Sequence, residues 1–69
     1  MENPSIIVNG QQHPWTEGQS ISGLLEVIGL GKRPVVVELN EQALLPSQFI
    51  STILHAGDRV EIVSIVAGG

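Results

Sequence analysis

Asn9-Gly10 stands between Ser5-Ile6-Ile7-Val8, a short run rich in β-branched residues, and Gln11-Gln12-His13. A two-residue connection between strands needs positive φ at both positions, which Asn tolerates and Gly adopts freely. The pattern predicts a tight β-hairpin at the start of the chain. Pro14 ends the return strand or confines it to a sheet edge, because proline has no N–H to give to a ladder. A lone hairpin is at best marginal in water, so the rest of the chain must cover its apolar face.

One segment has helical spacing. Ile21, Leu24, Leu25 and Ile28 fall at i, i+3, i+4 and i+7, one apolar stripe on an amphipathic helix. Ser20 is placed to cap its first turn, and Gly29 to end it in the left-handed C′ conformation. Gly23 weakens the helix by about 1 kcal/mol relative to Ala and marks a point of close packing on a sheet. Further on, Val35-Val36-Val37-Glu38-Leu39 reads as a strand, Asn40-Glu41 as a turn and Gln42 to Leu45 as a short strand. Pro46 opens a short helical turn carrying Phe49, Ile50, Ile53 and Leu54. Ala56-Gly57-Asp58 is a turn, and Arg59 to Val66 a long final strand. The order is hairpin, helix, strand, irregular segment, strand. The compact solution is α+β: a mixed sheet with one main helix packed across it. Residues 1–66 form the domain, and 67–69 are a flexible tail.

Strand parity assigns faces. Ile6, Val8, Val35, Val37, Leu39, Val60 and Ile62 point toward the helix; Ile7, Val36, Val63 and Ile65 point away. In the last strand the outward set runs Arg59, Glu61, Val63, Ile65, turning from polar to apolar toward the tail. Val63, Ile65, Ile7 and Val36 are therefore candidates for a docking surface. The alternative is that a loop around Phe49 covers Val63.

Composition excludes much chemistry. With 69 residues, one core is all the chain can build, and such a core rarely supplies more than about 3–5 kcal/mol. Little stability remains for a desolvated polar cleft, which favours a carrier or binding module over a self-sufficient enzyme. Cysteine is absent, so there is no disulfide, thiolate metal site or thiol nucleophile. Three Lys and Arg against seven Asp and Glu give a net charge of -4, and Trp15 and Phe49 are the aromatic residues. That argues against nucleic acid as a partner and suits a partner with a basic face. No window approaches the roughly 18 apolar residues of a membrane span, and Met1-Glu2-Asn3-Pro4 has no basic leader, so the expected compartment is the cytoplasm.

No catalytic residue is expected within the domain. His55 lies near Ser51 and Asp58, but no nucleophile elbow accompanies them, and these types are the usual content of turns. His13 and His55 read as exposed surface histidines, without the spacing of a metal site. The Gly68-Gly69 pair is a stronger signal, because two glycines at that position arise by chance in well under roughly 2% of chains. Without side chains, Gly68 and Gly69 can follow Ala67 into a narrow channel, and a terminal carboxylate is ionised at neutral pH. Such a carboxylate is a nucleophile toward an activated phosphate.

Three blocks carry a family resemblance: Val35-Val36-Val37-Glu38-Leu39-Asn40, Ala56-Gly57-Asp58-Arg59-Val60-Glu61-Ile62-Val63 and Val66-Ala67-Gly68-Gly69. Together they resemble the ThiS family of sulfur carriers in thiamine biosynthesis, over nearly the whole chain. The resemblance implies the ubiquitin-like β-grasp fold. It implies that a ubiquitin-activating-enzyme-like adenylyltransferase, ThiF, adenylates the Gly69 carboxylate. Sulfur from a cysteine desulfurase then replaces AMP, and the thiocarboxylate supplies the thiazole synthase ThiG. ATP and magnesium would belong to the adenylating partner, with no cofactor on this chain.

The sequence departs from the family pattern in two places. Glu41 stands where Gly often follows Glu-Leu-Asn, and Leu45-Pro46 stands where a Pro-Arg pair often precedes Ser-Gln-aromatic. The molybdopterin synthase small subunit MoaD, a ubiquitin-like protein modifier and a plain β-grasp interaction module are the alternatives. Ile62-Val63-Ser64-Ile65-Val66 lacks the prolines that MoaD members tend to carry before the tail.

Overall fold

The computed structural model describes residues 3–65. Strand β1 is Ser5–Val8, β2 is Gln11–Pro14, β3 is Val35–Leu39, β4 is Gln42–Leu44 and β5 is Arg59–Ser64. One helix, α1, spans Ile21–Val27, and a 3₁₀ turn spans Pro46–Gln48. The five strands form one sheet in the order β2-β1-β5-β3-β4. β1 and β5 run parallel at the centre; every other neighbouring pair is antiparallel. A hairpin, a helix crossing one face, a second hairpin and a final strand inserted between the two hairpins is the β-grasp arrangement.

Both predicted two-residue turns form with positive φ. Asn9 and Gly10 have φ of 50 and 81°, and Asn40 and Glu41 have φ of 50 and 71°. In the second turn a glutamate holds a backbone conformation that costs a non-glycine residue about 1–2 kcal/mol. The departure from the family pattern at Glu41 is thus a point of local backbone strain.

The helix begins and ends as its sequence predicts. Ser20 Oγ accepts from the backbone N–H of Gly23 at 3.0 Å. At the far end, Gly29 has φ 83°, its N–H bonds the Glu26 carbonyl, and the Leu30 N–H bonds that of Leu25. This is the Schellman closure, with the C″ residue packed against the core. Gly23 does not mark contact with the sheet: a Cβ there would meet Gln19 and Ser20 at 3.5 Å, an ordinary distance. Its cost is one of helix propensity alone.

The core lies between α1 and one sheet face. Ile6, Val8, Val35, Val37, Val60 and Ile62 from the strands are buried against Ile21, Leu24 and Leu25, as parity predicts. Leu39 is half-buried on the same side. The irregular segment departs from expectation. The 3₁₀ turn stops at Gln48, so no helical face carries Ile50 and Ile53, which are exposed. Leu54 is fully buried instead. It reaches the core because residues 52–54 run extended beside the helix start: Ile21 N–H bonds the Thr52 carbonyl, and Leu54 N–H bonds that of Gln19. Trp15 Nε1 donates to the Leu54 carbonyl at 2.9 Å, fastening the chain between β2 and α1 to the same segment.

Two boundaries shift. β4 ends at Leu44 and β5 at Ser64, each short of the predicted end. Val66, the domain boundary after it and the tail residues Ala67, Gly68 and Gly69 lie outside the described residues.

Candidate functional site

The outer face of the sheet is arranged in rows across β3 and β5. Val36 pairs with Val63, and Glu38 with Glu61. Arg59 is the next outward residue of β5 and pairs across the parallel ladder with Ile7, which in turn pairs with Gln12 at the hairpin edge. Val63 is 62% exposed and Val36 46%. Among the described residues no loop covers Val63. The Phe49 segment lies on the opposite side of the sheet, where the Phe49 carbonyl accepts from Ser22 N–H in α1.

The four residues singled out for docking do not form one patch. Val36 and Val63 are adjacent. Ile7 is half-buried and stands beyond the Glu38–Glu61 row. Ile65 follows the last residue of β5 and continues its course beside β3. Its N–H bonds the Pro34 carbonyl at 3.0 Å. It borders a cleft of about 330 Å³ on the helix side, together with Leu25, Val35 and Phe49. Leu45 belongs to the patch and was missed by sequence reasoning. It is 65% exposed, and the β3/β4 register, extended by one residue, sets it opposite Val36. The two-residue Asn40-Glu41 turn was the signal, since it fixes that register.

Two asparagines hold β5 at its place between the hairpins. Asn9 accepts from Ile62 N–H through Oδ1 at 2.7 Å and donates to the Ile62 carbonyl through Nδ2 at 3.1 Å. Its side chain thereby continues the β1 edge where the backbone has turned away. Asn40 Oδ1 accepts from Arg59 N–H at 2.9 Å, and its Nδ2 donates to Asp58 Oδ1 at 3.1 Å. The strand that leads to the C-terminal residues is clamped at both flanks.

Ser51, His55 and Asp58 do not assemble as a catalytic group. Ser51 Oγ donates to the Gln48 carbonyl. Asp58 Oδ2 reaches back across the turn and accepts from the backbone N–H of His55 at 2.7 Å, while His55 Nδ1 is 3.9 Å away and its side chain is exposed. His13 is half-buried, not exposed as expected, because it pairs with Ile6 on the helix-facing side of the edge strand. Among the described residues no three His, Cys, Asp or Glu side chains are grouped to hold a metal ion. No helix there is long and apolar enough to cross a membrane.

A family model described as the ThiS family matches residues 6–69. The chain belongs to the ThiS family. A Thermus thermophilus protein named sulfur carrier protein ThiS is 37% identical over 64 residues, covering 93% of this chain and 98% of that one. The crystal structure of the thiamine biosynthesis protein ThiS from Geobacter metallireducens aligns with a TM-score of 0.75 at 29% identity, covering 94% of this chain and 99% of that one. It shares the ubiquitin-like β-grasp fold. A Paramagnetospirillum magneticum protein named thiazole synthase is 28% identical over 64 residues. That match takes in 93% of this chain but 20% of the other protein, so the chain spans about a fifth of its length.

Proposed function

We propose that this chain is the sulfur carrier of thiamine biosynthesis, a protein co-substrate and not an enzyme. Gly69 is the residue that carries sulfur, with Gly68 and Ala67 as its tether. The observation that carries the reading is the extent of the family match, which runs to Gly69 itself. A carboxylate is a poor acyl donor until one oxygen becomes a good leaving group. A ThiF-like adenylyltransferase holding ATP and magnesium supplies one. The Gly69 carboxylate attacks the α-phosphorus, pyrophosphate leaves, and an acyl-adenylate forms. The outer sulfur of a persulfide formed by a cysteine desulfurase then attacks the carbonyl carbon, AMP leaves, and a thiol reductant cleaves the resulting acyl disulfide to release the thiocarboxylate. A ThiG-like thiazole synthase accepts that sulfur. The thiazole synthase relatives that contain a stretch similar to this chain support the pairing. The reading places the chain in the cytoplasm with these partners.

On this reading the apolar row Val36–Val63 is where partners grip the domain. Val63 lies six residues before Gly69, so a partner bound there sets the reach of the terminus. Positioning of this kind is worth several kcal/mol in effective molarity. The test is removal of Gly69. The shortened chain should keep its circular dichroism spectrum and urea midpoint but fail to support ATP–pyrophosphate exchange by the adenylyltransferase. Exchange at the parent rate without Gly69 would move the chemistry elsewhere.

A further inference from the structure

Glu38 and Glu61 are direct partners across β3 and β5, and both side chains are exposed on the outer face. Opposed side chains on an antiparallel pair stand about 4.5–5.5 Å apart at Cβ, where like charges destabilise the sheet. Among the described residues neither carboxylate has a Lys, Arg or His nitrogen within 4.0 Å. Of the three cations in the chain, Lys32 and Arg33 lie in the loop before β3, and Arg59 stands one row away beside Ile7. Ala43 is the β4 partner of Glu38 and is too short to cover the pair. Solubility does not require two carboxylates facing each other. On their other side lies the exposed Val36–Val63 row. The face therefore joins an uncovered apolar row to two adjacent, unneutralised negative charges.

We propose that this face docks a protein partner that covers Val36 and Val63 with apolar side chains and places an arginine between Glu38 and Glu61. A guanidinium is the fitting group because its planar fork carries five donors and bonds two carboxylates at once, which an ammonium does with less geometric definition. Bringing it between them converts cross-strand repulsion into attraction and fixes the partner along the strand direction. A second copy of this chain does not fit, since a twofold contact over this row would bring four carboxylates together. The inference rests on the reading that a partner adenylates Gly69, and assigns that partner's contact chemistry.

The experiment compares the parent with Glu38→Gln, Glu61→Gln and Glu61→Lys, using the adenylating partner over a series of salt concentrations. Each Gln variant should raise KM for the carrier about 10-fold with kcat unchanged, and should flatten the salt dependence of KM. Glu61→Lys makes its own cross-strand ion pair with Glu38, so it should unfold at a urea concentration no lower than the parent and bind worst of the three. Parent-like KM and salt dependence in all three variants, with the parent adenylated normally, would overturn the arginine contact and leave the adenylation reading standing. A parent that is not adenylated at all overturns both.

Discussion

The two hairpins turn through nearly the same backbone geometry with different residues and different support. Asn9-Gly10 has φ of 50 and 81°, and Asn40-Glu41 has φ of 50 and 71°. In the first turn the second position is a glycine, which adopts positive φ without a steric cost. In the second it is a glutamate, and the geometry persists because β3 is already fixed by a five-pair ladder to β5. The asparagines differ too. Asn9 bonds both backbone groups of Ile62 in a half-buried setting, whereas Asn40 bonds Arg59 and Asp58 at the exposed rim. A locally ideal turn thus carries the more buried tertiary bonds, and a strained turn is held by the sheet around it.

Replacing the two asparagines breaks the comparison most sharply. Asn9→Ala leaves Ile62 N–H and carbonyl without their partners. It should cost about 2–4 kcal/mol, since each unsatisfied buried group costs about 1–3. In a domain of this size that is most of the stability, so urea unfolding should show a collapsed midpoint. Asn40→Ala should cost no more than about half as much, because water reaches the groups it abandons. Equal losses would mean that the two clamps do the same job.

Glycine exchange between the turns gives a smaller, signed effect. Glu41→Gly should stabilise by about 1 kcal/mol by relieving positive φ in a non-glycine residue. Gly10→Ala should destabilise by a similar amount, about 1 kcal/mol, and by backbone strain alone, since a Cβ there meets nothing within 4 Å. Thermal melts of both variants check the signs. A destabilised Glu41→Gly would show that the Glu41 side chain contributes something its backbone does not.

The smallest expected effect separates the hairpins' outer face from the core. Val63→Glu should shift the urea midpoint by less than about 1 kcal/mol, because Val63 is 62% exposed and the new carboxylate stays in water. Its KM for the proposed adenylating partner should nevertheless rise. A collapsed midpoint would mean that Val63 is covered in solution.

The elements themselves were readable from local chemistry. Asn9-Gly10, the Ile21 to Ile28 stripe with Ser20 and Gly29 at its ends, and the alternation in Val35–Leu39 and Arg59–Ser64 each rest on neighbours within a turn or two of chain. The β-grasp fold came from the combination of blocks that resembles the family. The proposed sulfur-carrying tail was read from Gly68-Gly69, first as an improbable pair of glycines and then through that resemblance. Tertiary structure decided the rest, because it depends on partners far apart in sequence. The extended run at 52–54 exists because Ile21 and Gln19 bond it, so no local pattern foretold that Leu54 is core and Ile53 is not. Ile65 borders the helix-side cleft although its N–H still bonds the Pro34 carbonyl, a placement that parity does not give. The pairing of Glu38 with Glu61, separated by 23 residues, is a fact of register. Parity alone shows that both point outward; only the ladder shows that they face each other.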